Sequence, residues 1–86
     1  MRISYGRIFK KMFKKQHKKV QEKFSERLEF FIENPQHPLL NLHSLSGEWF
    51  GCKSINITGG IRAVFEEVED DLVEFTAIGS HSDLYS

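Results

Sequence analysis

From Arg7 onward, a mostly apolar series recurs at helical spacing: Ile8/Phe9, Met12/Phe13, the polar Gln16/His17, Val20, Phe24, Leu28 and Ile32. Lysines at 10/11, 14/15 and 18/19 fill the opposite arc. This amphipathic stretch is what most restricts the fold, because its phenylalanine and leucine stripe must be covered by something else in a short chain. A single helix to Glu33 would be long for 86 residues, so a break is expected near Gln16–Lys18. Two helices in an antiparallel hairpin bury the stripe economically. Pro35 ends the region, with Asn34 as the expected helix C-cap.

The rest of the chain reads as strands and loops. Met1–Tyr5 alternates Ile3 and Tyr5 against Arg2 and Ser4, a short strand. Asn34-Pro35-Gln36-His37-Pro38 is a loop, since Asn-Pro and the second proline disfavour helix. A run without clear period follows, Leu39 to Gly47. Trp49–Ile57, Ile61–Val68 and Leu72–Ile78 read as three strands, separated by Thr58-Gly59-Gly60 and Glu69-Asp70-Asp71. The expected fold is α+β, a single domain over residues 1–86: a short N-terminal strand, a two-helix hairpin and a three-stranded antiparallel meander, with the helices on one sheet face.

A hydrophobic content of 40% with eight phenylalanines supports a folded core over a disordered chain. The N-terminus lacks a signal-peptide core, and no run approaches the ~20 apolar residues of a membrane helix. The expected setting is the cytoplasm, with no membrane partner. The lone Cys52 forms no internal disulfide and builds no zinc site alone. Zero net charge hides a sharp division: residues 1–28 carry ten Lys/Arg against Glu22 and Glu26, or +8, and residues 29–86 carry −8. A polyanion-facing surface would suit the basic part, and so would a solvated helix face set against the acidic part of the same molecule.

The four histidines separate by context. His17 in the lysine-rich segment and His37 between prolines read as surface residues. His43 and His81 lie in short irregular segments beside expected strands, where a rigid scaffold often mounts reactive groups. Arg62 is a cation in an otherwise apolar strand. It either finds Glu66, Glu67 or Glu74 or stands free for a ligand. Trp49 and Phe50 are expected in the core. Tyr85 either covers the sheet edge or offers a stacking surface. No phosphate-binding glycine loop, nucleophile elbow or Cys/His ligand cluster is present. What remains is a metal-free set of histidines, Arg62, lysines and Tyr85, with no cofactor implied. That set suits ribonucleotide cleavage: a hydroxyl loses a proton, a pentacoordinate phosphate needs a fixed cation, and the leaving oxygen gains a proton. Tyr85 could stack on a splayed base.

Several stretches together resemble the RelE/ParE superfamily of bacterial toxins, in particular the RelE-type and YafQ-like mRNA interferases. They are Phe9-Lys10-Lys11, Asn34-Pro35 with Pro38-Leu39, and His43-Ser44-Leu45-Ser46-Gly47. Trp49 through Ile57, Arg62-Ala63-Val64-Phe65 and Ile78-Gly79-Ser80-His81-Ser82-Asp83-Leu84-Tyr85 complete the set. The resemblance spans essentially the whole chain, and the closing Gly-Ser-His-Ser-Asp-Leu-Tyr is its most specific part. It implies the toxin of a type II toxin–antitoxin system: a ribosome-dependent endoribonuclease that cuts mRNA and is held inactive by a cognate antitoxin. By position it implies a catalytic role for His81 and Arg62, a matching histidine at His43, and an aromatic at Tyr85 that closes the site. It also implies RNA contacts from Lys53 and, toward ribosomal RNA, from Lys10, Lys11, Lys14, Lys15 and Lys18. Asn56 stands where YafQ-like toxins have a second histidine, and Gly60 and Ile61 where relatives have an acidic and then an aromatic residue. Two other outcomes fit the same resemblance: a non-enzymatic ParE-like inhibitor of DNA gyrase, and a catalytically weak relative that only binds RNA or antitoxin.

Overall fold

The alternation at the N-terminus produces β1 (Arg2–Tyr5), and Gly6 turns the chain into α1 (Arg7–Lys14). The computed structural model describes residues 1–85. The expected helix break falls at residues 15–17, before α2 (Lys18–Glu33). There the His17 ring accepts a hydrogen bond from the Lys19 amide (3.0 Å) and caps the new helix. Lys11 and Lys14 end α1, where cations complement the helix dipole. Lys18 and Lys19 instead begin α2, with no acidic residue in its first turn, so they oppose the dipole. Helix stability does not account for them. Asn34 caps α2 as expected, its amide donating to the Phe30 carbonyl (2.7 Å).

A five-stranded sheet lies against these helices in the order β1-β5-β4-β3-β2. Its members after the helices are β2 (His43–Ser44), β3 (Lys53–Asn56), β4 (Arg62–Glu69) and β5 (Leu72–Gly79). The expected meander is β3-β4-β5, and β1 joins it in parallel beside β5. Two extensions were not expected. The two-residue β2 adds an edge to β3, and the tail after Gly79 is a third helix, α3 (His81–Tyr85). The expected strand from Trp49 begins only at Lys53. Gly47–Trp49 curls into a 3-10 turn, and Gly47 and Gly51 adopt positive φ (65° and 94°), where glycine carries no steric cost.

The core is an aromatic layer between the two long helices and one sheet face. Phe9, Phe24 and Phe31 descend from the helices onto Ile55, Ala63, Phe65, Val73, Phe75 and Ile78, all buried. Phe75 is its hub, fully buried, with ring centroids of Phe24, Phe65, Phe9, Phe31 and Tyr5 between 5.3 and 6.1 Å away. Strand alternation is then interrupted once in β5. Val64 pairs with Ala77 but Phe65 pairs with Phe75, leaving Thr76 as an extra residue, a bulge. Phe75 and Ile78 therefore both face the helices, while Ala77 faces the other way with Val64. On that second face Val64, Ala77 and Leu84 of α3 form a smaller cluster, joined by Leu45, Trp49 and Cys52. The short third helix is thus packed on the opposite side from the aromatic layer.

Candidate active site

The register of the meander assembles the site on this second face. Asn56, Arg62 and Gly79 stand side by side across β3, β4 and β5. The next row inward is His43, Ser54, Val64 and Ala77. Arg62 therefore sits beside the last residue of β5, and His81 opens α3 two residues later. Arg62 is half-buried, and among the described residues it makes no ion pair with Glu66, Glu67, Glu74 or any other acid. A guanidinium held at a strand end without a carboxylate is available to an anion.

Three contacts fix α3. Ser80 and Asp83 cap each other: the Ser80 amide donates to Asp83 Oδ2 (3.0 Å), and the Asp83 amide donates to Ser80 Oγ (3.2 Å). Gly79 permits this closure, since a Cβ there would lie 2.8 Å from Asp83 Cβ and 2.9 Å from its Oδ2. At the other end the Trp49 indole Nε1 donates to the Leu84 carbonyl (2.9 Å), and the Leu84 side chain is buried. The helix then presents His81 and Tyr85 one turn apart, ring centroids 4.7 Å from each other at 31°. Both are exposed, and among the described residues the His81 ring makes no hydrogen bond.

The Ser80 backbone amide, and then its hydroxyl, hold the Asp83 carboxyl below the usual aspartate range. A depressed folded-state pKa contributes stability that is present above the unfolded value and disappears as pH falls through the folded one. The start of α3 is therefore expected to loosen only in acid, below about pH 4, and to stay intact from there through neutrality. Amide exchange at Ser80 and Asp83, followed by NMR across that range, checks this. An unchanged Ser80 signal in acid would count against the cap.

His43 is held differently. Its Nδ1 lies 2.9 Å from the Asn41 carbonyl, so that nitrogen carries the proton. Its Nε2 faces the buried Ser54 hydroxyl at 3.4 Å. Both ring nitrogens have partners, in contrast with His81. Lys53 lies on the other sheet face, opposite Phe65, with its amine 2.8 Å from Glu67. It does not join Arg62 and His81. Of the helix lysines, Lys15 borders a cleft of about 480 Å³ with Met12, Gln16 and Asp83, which places the end of α1 against α3. Lys10 and Lys14 rim a separate cleft between the helices, and Lys11 and Lys18 are exposed. Among the described residues no three His, Cys, Asp or Glu side chains converge as metal ligands would.

No protein-family model and no curated protein sequence matches the chain. Solved structures do. YafQ from E. coli strain BL21(DE3) superposes with a TM-score of 0.83 at 22% identity, covering all of both chains. An E. coli DinJ–YafQ complex contributes a chain at TM-score 0.75 and 25% identity, again over all of both chains. A YoeB/ParE toxin from Agrobacterium tumefaciens reaches 0.76 at 18% identity, over 94% of this chain and 99% of that one. The fold is that of the YafQ-like toxins.

Within this YafQ-like fold, two site features escaped the sequence reading. Trp49 is half-buried as a clamp on α3 and not simply a core residue, and Phe50 is 84% exposed, contrary to the expectation that it packs inside. Ser80 and Asp83 did carry a signal, the capping spacing of a serine followed three residues later by an acid. Trp49→Phe keeps most of the packing and removes the indole donor. The loss of one hydrogen bond, about 1 kcal/mol, is expected to lower Tm by about 4–8 °C. It should also speed amide exchange in α3 more than in the sheet, and equal exchange in both would show that the bond does not hold the helix.

Proposed function

We propose that this chain is the toxin of a type II toxin–antitoxin pair, a cytoplasmic endoribonuclease that cuts mRNA on the ribosome by metal-free acid–base chemistry. The observation that carries this reading is the exposed His81 ring, mounted on a capped helix two residues after Gly79, whose cross-strand neighbour Arg62 has no ion pair among the described residues. In this reading Arg62 contacts the scissile phosphate and stabilises the charge that grows on it as the 2′-oxygen attacks phosphorus. The bond from phosphorus to the 5′-oxygen breaks, and His81 delivers a proton to that oxygen. The products are a 2′,3′-cyclic phosphate and a free 5′-hydroxyl. Tyr85 stacks on a neighbouring base. His43, one row inward, takes the proton of the attacking 2′-hydroxyl on its Nε2 once the Ser54 hydroxyl turns away.

Lys15, next to α3, extends the cationic path from Arg62 toward α1, and Lys10, Lys11, Lys14 and Lys18 continue it toward ribosomal RNA. The lysines that begin α2 against its dipole fit a surface selected for contact with polyanions. A DinJ–YafQ complex among the solved structures of this fold supports a protein antitoxin as the second partner. The same fold in a YoeB/ParE toxin keeps gyrase inhibition as the rival outcome.

Expression of the wild-type chain and of His81→Ala, with sequencing of mRNA 5′ ends and assay of gyrase-dependent DNA breaks, decides between them. Cuts within translated codons, dependent on His81, are the expected result. Growth arrest with intact mRNA and broken DNA would establish the gyrase reading instead.

A further inference from the structure

Phe50 is the most exposed large hydrophobic residue of the described chain, at 84%, well ahead of Ile8 at 64%. One exposed apolar side chain is ordinary, but the way this one is held is not. The segment that carries it is closed by four backbone hydrogen bonds: Leu45 to Cys52, Trp49 to Ser46, Phe50 to Gly47 and Cys52 to Trp49, at 2.9 to 3.3 Å. Gly47 and Gly51 flank it at positive φ, and a Cβ on either would meet nothing within 4 Å. The loop is ordered by its own backbone and anchored through Trp49, while its glycines at 47 and 51 face open space. Its ring is therefore presented outward at little entropic cost to a ligand that meets it.

Its position is also specific. Phe50 follows Trp49, whose indole nitrogen holds the Leu84 carbonyl, and Tyr85 follows Leu84. Each exposed aromatic is thus the chain neighbour of one partner in that hydrogen bond, which ties the Phe50 loop to the helix that carries His81 and Tyr85. Glu48 on the same turn disfavours a phosphate there, so a flat, uncharged group suits the ring better than a nucleic-acid backbone does.

We propose that Phe50 is a second base-stacking platform, taking a nucleobase adjacent to the one that Tyr85 covers and setting which codon position is held flat. This rests on the RNA-cleaving reading above. An aromatic ring stacks on any base because every base has a π-face, and preference then follows stacking strength, with purines ahead of pyrimidines.

The test measures affinity of the full chain for ribosomes programmed with a non-cleavable 2′-O-methyl message, for wild type, Phe50→Ala, Phe50→Leu and Phe50→Trp. Substitution at so exposed a site leaves Tm unchanged, which is checked first. Phe50→Ala and Phe50→Leu are expected to bind about tenfold more weakly, and Phe50→Trp as well as wild type. An abasic nucleotide scanned through the codon should weaken wild type at one position and leave Phe50→Ala indifferent there. If Phe50→Leu matches wild type, or if no abasic position loses its effect in Phe50→Ala, the stacking role is overturned while the nuclease reading stands. If wild type binds programmed ribosomes no better than empty ones, the functional reading itself fails and the platform with it.

Discussion

A His81→Ala variant is expected to cut ribosome-bound mRNA about 10²- to 10⁴-fold more slowly than wild type, the usual contribution of one general acid or base. The side chain is exposed and makes no hydrogen bond among the described residues, so its removal should leave Tm within a degree or two. The loss should therefore fall on turnover and not on folding or on ribosome affinity. Single-turnover cleavage at saturating protein separates these quantities, with a pelleting assay for binding. A variant that cleaves normally would move the proton transfer elsewhere. His43 would then be the residue to replace, with Ser54→Ala as a companion to test whether freeing its Nε2 raises activity. Retained binding with lost cleavage would also mark out an inert ligand for isolating the antitoxin.

Phe75→Ala should have the largest effect on stability, about 3–5 kcal/mol. Five aromatic rings converge on this side chain from β1, both long helices and β4, and none of them can collapse into its space without leaving the others. A small domain has only about 5–15 kcal/mol in total, so the variant is expected to lose a large share of its stability and to unfold at a much lower urea concentration. Urea denaturation followed by the Trp49 signal measures this, with Phe50→Ala as the control expected within about 0.5 kcal/mol of wild type. Equal midpoints for the two variants would show that the aromatic layer is not where the stability resides.

The parts of this fold that were legible in the sequence are those written in a period. The helical recurrence from Ile8 to Ile32 and the turns at 58–60 and 69–71 mark the two long helices, β4 and β5 to within a residue or two, and β3 only in part. The misread parts depend on single events without a period. α3 is five residues long, too short for a hydrophobic stripe, and is held by a cap, a glycine and a distant indole. β2 is two residues recruited to an edge by pairing alone. Phe50 looked like core because composition says what is apolar and not which turn will lift it out. Arg62 and His81 were singled out as chemical types, and only strand register sets Arg62 beside Gly79, two residues before His81. The same register sets Lys53 apart: it pairs with Phe65, one residue out of phase with Ser54 and Asn56.

Thr76 is easily passed over, since its hydroxyl merely reaches the Val64 carbonyl at 3.3 Å. Yet β5 has two clients. Val73, Phe75 and Ile78 serve the interior of the molecule, and Ala77 and Gly79 serve the surface where substrate would sit. One extra position is the switch between them. The property this strand must conserve is thus its bulge. The same eight residues in a strand without it would turn Ala77 inward and Ile78 outward, turning the site over without altering its composition.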